Sequence, residues 1–262
     1  MTQSPAKAKI LILGATGGTG RLLVQQALAQ GYDVTVLVRA PEKAGDLGSA
    51  RIVQGDARDV GALRAALRGQ DAVISALGTP ASPFRPVTLL SEATRALVSA
   101  MEAEQVRRLV VITGLGAGDS AGHGGFLFDR LIFPLLLRHV YADKNRQEAI
   151  VRASGLDWML VRPTILSNKP AAGNVRALTD LQGFHGGTIA RADVARFVLD
   201  QVRNDTWLGQ SPLITDETAL RPSRRSSGRP RRSSPRPSRR ACPTPFPPNR
   251  APRAPASCRP AR

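Results

Sequence analysis

Cysteine is absent from everything before Cys242, and the chain's other cysteine is Cys258. A disulfide-stapled fold, a Cys-based zinc site and a cysteine nucleophile are therefore excluded for most of the chain. The three histidines, His123, His139 and His185, are too dispersed for a metal centre, and none is expected. Long apolar runs are missing as well: the longest, 126–137, is broken by Asp129 and Arg130 and is too short to span a bilayer. The opening MTQSPAKAK lacks the apolar core of a signal peptide, so the expectation is a cytoplasmic protein with no membrane partner.

Acidic residues are missing from one region. Residues 218–262 hold 13 arginines and 11 prolines but no Asp or Glu. Such a segment cannot bury enough apolar surface to offset the entropy of ordering it, and it reads as a disordered tail. By charge alone it would cling to polyanions nonspecifically, and no specific nucleic-acid site is expected. The same abrupt Arg/Pro richness is what a GC-rich reading frame gives when translated out of phase or past its stop, so the tail need not be native. Removing its 13 charges from 37 Lys and Arg leaves 24 against 20 acids, so residues 1–217 carry about +4 of the total +17.

What is present before the tail is a βα rhythm. Residues 10–13 (ILIL) form a continuous apolar run, as in a strand covered on both faces, and Gly14-Ala-Thr-Gly-Gly-Thr-Gly20 follows at once. Apolar residues at 22, 23, 24, 27 and 28 then give a helical stripe that Gly31 ends. The pattern continues with strands at 34–38, 51–54, 72–76 and 109–112, and with helices at 60–67 and roughly 87–103. Crossovers of this length permit parallel pairing, which predicts a Rossmann-type doubly wound α/β sheet with helices on both faces over 1–217. Beyond Thr113 the spacing predicts a glycine-rich loop at 114–125, a helix over 126–137 interrupted or kinked near Pro134, and a helix over 141–154. A strand at 158–161, a helix at 189–202 and a last strand at 211–215 complete the pattern. Segments 114–140 and 163–188, the latter mostly loop, are expected to wall the substrate side.

Gly14-x-x-Gly17-x-x-Gly20 lies between a predicted strand and a predicted helix, the context of a dinucleotide fingerprint. Gly14 permits the tight turn, Gly17 lets the backbone approach a pyrophosphate, and Gly20 lets the helix pack close to the sheet. Gly18 and its neighbours supply amides at the helix start, and Thr16 and Thr19 add hydroxyls. No Gly-Lys-Ser/Thr follows, which disfavours a Walker-type loop. An enzyme that prefers NAD commonly carries Asp or Glu at the end of strand two; here Arg39 stands 19 residues after Gly20, suited to a 2'-phosphate, with Lys43 as a second cation. NADPH is therefore expected over NADH. Asp56 and the amide of Ala57 are candidates to hold the adenine edge, and Asp59 is read as a helix cap. Leu77, Gly78 and Thr79 end strand four beside the cofactor, and Thr113 ends strand five near the nicotinamide position.

These motifs, with Tyr32–Arg39, Gly55-Asp56, Gly69–Val73, Ser154–Leu156, Arg162-Pro163 and Ile189–Val194, resemble the atypical short-chain dehydrogenase/reductases. The resemblance is in particular to NmrA-like proteins and the biliverdin-IXβ (flavin) reductase group, and it covers nearly all of 8–216. It implies NADPH binding, with Pro163 and the loop after it beside the nicotinamide. Orthodox members use Ser/Thr, Tyr and a Lys four residues after the Tyr, which makes Thr113, Tyr141 and Lys144 the catalytic candidates. Here, however, the residue four before Lys144 is Val140, and Tyr141 is displaced by one position, roughly 100° around a helix, unless a local distortion brings it in.

A reaction needing little proton-transfer machinery fits that gap: hydride transfer from NADPH to a flavin, quinone or similar small-molecule acceptor. Phe126, Phe128, Tyr141 and Phe184 are candidates for the acceptor pocket, and His185 lies in the substrate-side loop. A non-catalytic NADP-sensing regulator of NmrA type is the alternative. An epimerase is a third reading, for which an intact Tyr-x-x-x-Lys would be expected. The chain is expected to act as a monomer or dimer.

Overall fold

In a computed structural model the described residues are 7–217. The expected disorder of 218–262 therefore lies outside them.

Five strands build the first half: β1 (Lys9–Leu13), β2 (Asp33–Val38), β3 (Arg51–Gln54), β4 (Ala72–Ser75) and β5 (Arg108–Ile112). Between them run α1 (Gly18–Ala29), α2 (Val60–Leu67) and α3 (Leu89–Ala103). The second half holds α4 (Arg138–Ala153), β6 (Asp157–Pro163), β7 (Ile165–Ser167), β8 (Val175–Leu178), β9 (Thr188–Ala190), α5 (Arg191–Asp200) and β10 (Leu213–Asp216). The main sheet has the order β3-β2-β1-β4-β5-β6-β10-β8, parallel throughout except for β8, which runs antiparallel to β10. The chain crosses from one side of β1 to the other between β3 and β4, so the carboxyl ends of β1 and β4 flank the switch point where such sheets bind ligands.

The strands are apolar on both faces because both faces are covered. Ile10 and Ile12 pack with Leu23, Val24, Val194 and Val198 of α1 and α5, whereas Leu11 and Leu13 pack with Leu63, Leu67, Leu97 and Met101 of α2 and α3. Alternate residues of one strand thus feed two separate cores. Asp59, expected as a cap, accepts from the Gly61 and Ala62 amides at 2.8 and 3.4 Å and starts α2.

Two expectations for the second half need correction. Segment 163–188 is mostly loop, but it also contains β7 and β8, and β9 begins at its end. These strands have three or four residues each and find partners far along the chain, so no local periodicity announces them. The helix expected from 189 starts at Arg191, because Ile189 and Ala190 pair with β7. Pro134 does not interrupt its helix; Phe128–Leu137 winds as a π-helix that runs directly into α4, so α4 begins before the expected 141. The wider turn tolerates the amide that Pro134 lacks. Among the described residues no helix is long and apolar enough to cross a membrane.

Candidate active site

The β1–α1 turn is forced by sterics. Gly14 has φ +80°, and a Cβ there would lie 2.5 Å from the Ala76 carbonyl oxygen at the end of β4. A Cβ on Gly20 would meet the Gly14 carbonyl oxygen at 2.1 Å, so glycine at both places brings α1 against the turn. Gly17 caps α1 without a side-chain hydrogen bond, and the first turn of α1 carries no acidic residue. The leading amides of α1 therefore face a cleft of about 730 Å³ with no carboxylate of their own turn to satisfy them.

That cleft gathers most of the candidates. Gly14, Thr16, Gly17, Gly18, Thr19 and Gly20 line it from the turn, Arg39 and Lys43 from the end of β2, and Asp56 and Ala57 from the end of β3. Leu77, Gly78 and Thr79 line it after β4, Thr113 after β5, and Lys144 from α4. The Arg39 and Lys43 side chains are exposed and make no hydrogen bond or ion pair among the described residues. Asp56 is already engaged: its carboxylate accepts from the Arg58 backbone at 2.9 Å and from the Arg58 guanidinium at 3.1 and 2.8 Å. Those bonds hold its carboxyl down at about 2, with a smaller contribution from Arg39.

The far end of the cleft is organised differently. Glu148, fully buried on α4, accepts from the Thr113 hydroxyl at 2.8 Å, from Arg162 at 3.0 and 2.7 Å, and from Arg152 at 2.8 Å. Arg162 is also buried and reaches Asp119 at 2.5 Å. Burial alone would raise the Glu148 carboxyl, but the Arg162 guanidinium outweighs it and keeps the group below the ordinary carboxylate range. Lys144 donates to the Thr113 carbonyl at 2.5 Å and lies over the Tyr141 ring at 5.1 Å; enclosure pushes its ammonium down to about 8, against the pull of Glu148.

Two candidates do not line the cleft. Tyr141 is buried, its hydroxyl donates to the Leu115 carbonyl at 2.7 Å, and burial pushes the phenol up to about 12. No distortion restores the four-residue spacing, because α4 is α-helical from Arg138 and Tyr141 stays three residues before Lys144. Pro163 is buried at the end of β6, beside Ile214, with its carbonyl accepting from the Leu115 amide. The aromatic acceptor pocket needs correction as well. Phe126 is 83% exposed, and Phe184 is buried in a cluster with Leu115, Leu181 and Leu213 rather than in the cleft. The Phe128 side chain lies outside the described residues. His123 and His185, distant in sequence, stack at 5.9 Å, and no metal-binding cluster is found among the described residues.

Sequence reasoning missed several lining residues. Leu166 of β7 and Arg191 at the start of α5 both face the cleft. Arg191 lies within the Ile189–Val194 motif, which was a signal without an assigned task. The Arg162–Glu148 pair left no signal, since it joins two elements whose contact depends on the sheet. The cradle fits a dinucleotide on structural grounds: glycines admit backbone to the switch point, helix amides face inward, and a buried Arg191 nitrogen lacks a partner.

A family model described as NAD(P)H-binding matches residues 14–205. The chain belongs to this NAD(P)H-binding family. An uncharacterized chloroplastic protein of Arabidopsis thaliana is 31% identical over 200 residues, covering 73% of this chain and 71% of that protein. A Bacillus subtilis protein called an uncharacterized sugar epimerase is 30% identical over 203 residues, covering 73% and 86%. Among solved structures, the anaerobilin reductase ChuY of Escherichia coli O157:H7 superposes with a TM-score of 0.69 at 24% identity, covering 82% of this chain and all of that one. The family match bears out the expected NAD(P)H binding, and the likeness to ChuY shows a shared Rossmann-type fold.

Proposed function

We propose that this chain is an NADPH-dependent reductase that delivers hydride to a flavin, a quinone or a similar conjugated small molecule. The observation that carries the reading is the internal pairing at the nicotinamide end: Thr113, Tyr141 and Lys144 all spend their polar atoms on protein partners. Bound NADPH supplies the hydride. The turn amides and glycines seat the diphosphate, Arg39 and Lys43 grip the 2'-phosphate, and Lys144 faces the ribose from α4. Glu148 fixes Thr113 so that the end of β5 presents one geometry. The orthodox proton donor is disabled there, since the Tyr141 phenol is bound to a carbonyl and driven to about 12. Acceptors that take their proton from water suit such a site, and orthodox carbonyl reduction and sugar epimerisation do not.

Binding of NADPH and NADH to the purified chain, followed by an acceptor screen, tests this. Arg39→Ala is expected to weaken NADPH about tenfold or more and to leave NADH nearly unchanged, in line with loss of a charge-assisted hydrogen bond of about 1.5–3 kcal/mol. Equal losses for both nucleotides would refute the arginine assignment. The same internal pairing favours a second reading, a non-catalytic NADP sensor. Dinucleotide binding without NADPH oxidation in the presence of free flavin and air would select it.

A further inference from the structure

Arg191 is costly where it stands. It is the first residue of α5, where the partial positive charge of the helix terminus disfavours a cation. One of its guanidinium nitrogens, Nη1, is buried with no hydrogen-bond partner. The neighbouring carboxylate does not relieve it: Asp193 accepts from the Ala172 and Gly173 amides at 2.7 and 3.1 Å and lies 3.7 Å from Arg196. An unsatisfied buried donor on a cation is expensive, and the fold gains no visible contact in exchange.

Its position shows what would satisfy it. The side chain crosses the first residue of α1: a Cβ on Gly18 would lie 3.1 Å from Nε and 3.2 Å from Cδ of Arg191. The crossing is held from both sides, by Gln26 of α1 donating to the Ala192 carbonyl at 3.0 Å and by the β7–β9 pairing that ends at Ala190. Two helix N-termini and a guanidinium thus converge on one wall of the cleft, and the first turn of α1 contributes no carboxylate. That wall calls for a multiply charged anion.

We infer that Arg191 is a cofactor-binding residue that grips the diphosphate of the dinucleotide beside the α1 amides. The inference rests on the dinucleotide reading of the cleft but does not need turnover. It also gives Gly18 a second duty, since any side chain there would displace the arginine stem. Arg39 then selects the 2'-phosphate, while Arg191 grips the portion common to NADPH, NADH and ADP-ribose.

The test is calorimetric titration of Arg191→Gln and Arg191→Lys against NADPH, NADH, ADP-ribose and adenosine 2'-monophosphate, which has no diphosphate. Arg191→Gln is expected to weaken the first three by a common factor of about ten, with the monophosphate unchanged and Arg191→Lys intermediate. Affinities within twofold of the parent for all three diphosphates would overturn the assignment. A parallel loss of the monophosphate would also overturn it, because it would mark a general disturbance of the cleft. A parent protein that binds these nucleotides but reduces no acceptor would refute the reductase reading and leave the titrations to decide on Arg191.

Discussion

At one end of the cleft, the Arg39 and Lys43 side chains stand exposed with no hydrogen bond or ion pair among the described residues, and Arg191 keeps a buried nitrogen unsatisfied. At the other end, the Thr113 hydroxyl, the Tyr141 hydroxyl and the Lys144 ammonium are each bonded to protein, and Glu148 takes bonds from three different side chains. One end stores unmet hydrogen-bonding capacity and the other has consumed it. The contrast teaches that recognition of charge and rigidity are separable demands: the first end holds cations free to meet an anion, and the other is arranged to stay still.

The sharpest way to break the contrast is to remove the hub of the paired end. Glu148→Ala leaves Arg162 buried without its main counter-charge, and such a loss costs about 3–5 kcal/mol. Thermal unfolding should show a large drop, and an unchanged midpoint would mean that the network does not rigidify the site.

A smaller, pH-dependent effect follows from Lys144. Its ammonium is driven to about 8 in the folded chain, against 10.5 ordinarily, so between those values the unfolded chain holds a proton that the folded chain has released. Stability from this residue is therefore fully present above 10.5 and is lost as pH falls through about 8. Denaturant titrations of parent and Lys144→Met at about pH 7 and about pH 10 should show a steeper alkaline gain in the parent. Parallel gains would contradict the enclosure of this lysine.

The smallest expected effect is that of Tyr141→Phe. Losing a buried neutral hydrogen bond should lower stability by about 0.5–1.5 kcal/mol and leave the acceptor-dependent turnover rate within about twofold of the parent. A hundredfold fall in turnover with intact NADPH binding would show that the phenol carries a proton after all.

Legibility in the sequence followed the same division. β1, β2, β4 and β5 were readable because strands covered on both faces are apolar runs, β3 only as a short, partly exposed edge strand, and the glycine turn was readable because its spacing reflects backbone sterics. Lines such as Ile165–Ser167 and Val175–Leu178 were not, since they are short, partly exposed and paired with distant strands. At the site, the distance of Arg39 from Gly20 put it at the end of β2, and there it lines the cleft. Among the partners of Glu148 only Arg152, four residues further along α4, has a spacing legible in sequence; Thr113 and Arg162 meet it from the end of β5 and from β6. For Tyr141 the one-residue displacement was a true signal. What it could not reveal was the destination of the hydroxyl, a carbonyl supplied by the loop after β5.

The pairing of β7 with β9 has an evolutionary consequence. These strands form a two-stranded ladder of their own, outside the eight-stranded sheet, while Leu166 of β7 still reaches the cleft. Substitutions on that ladder leave the register of β1 to β6 untouched. Variation at Leu166 can therefore reshape the cleft wall from outside the main sheet without touching the glycine turn, whereas the Ala190 end of the same ladder is tied to Arg191.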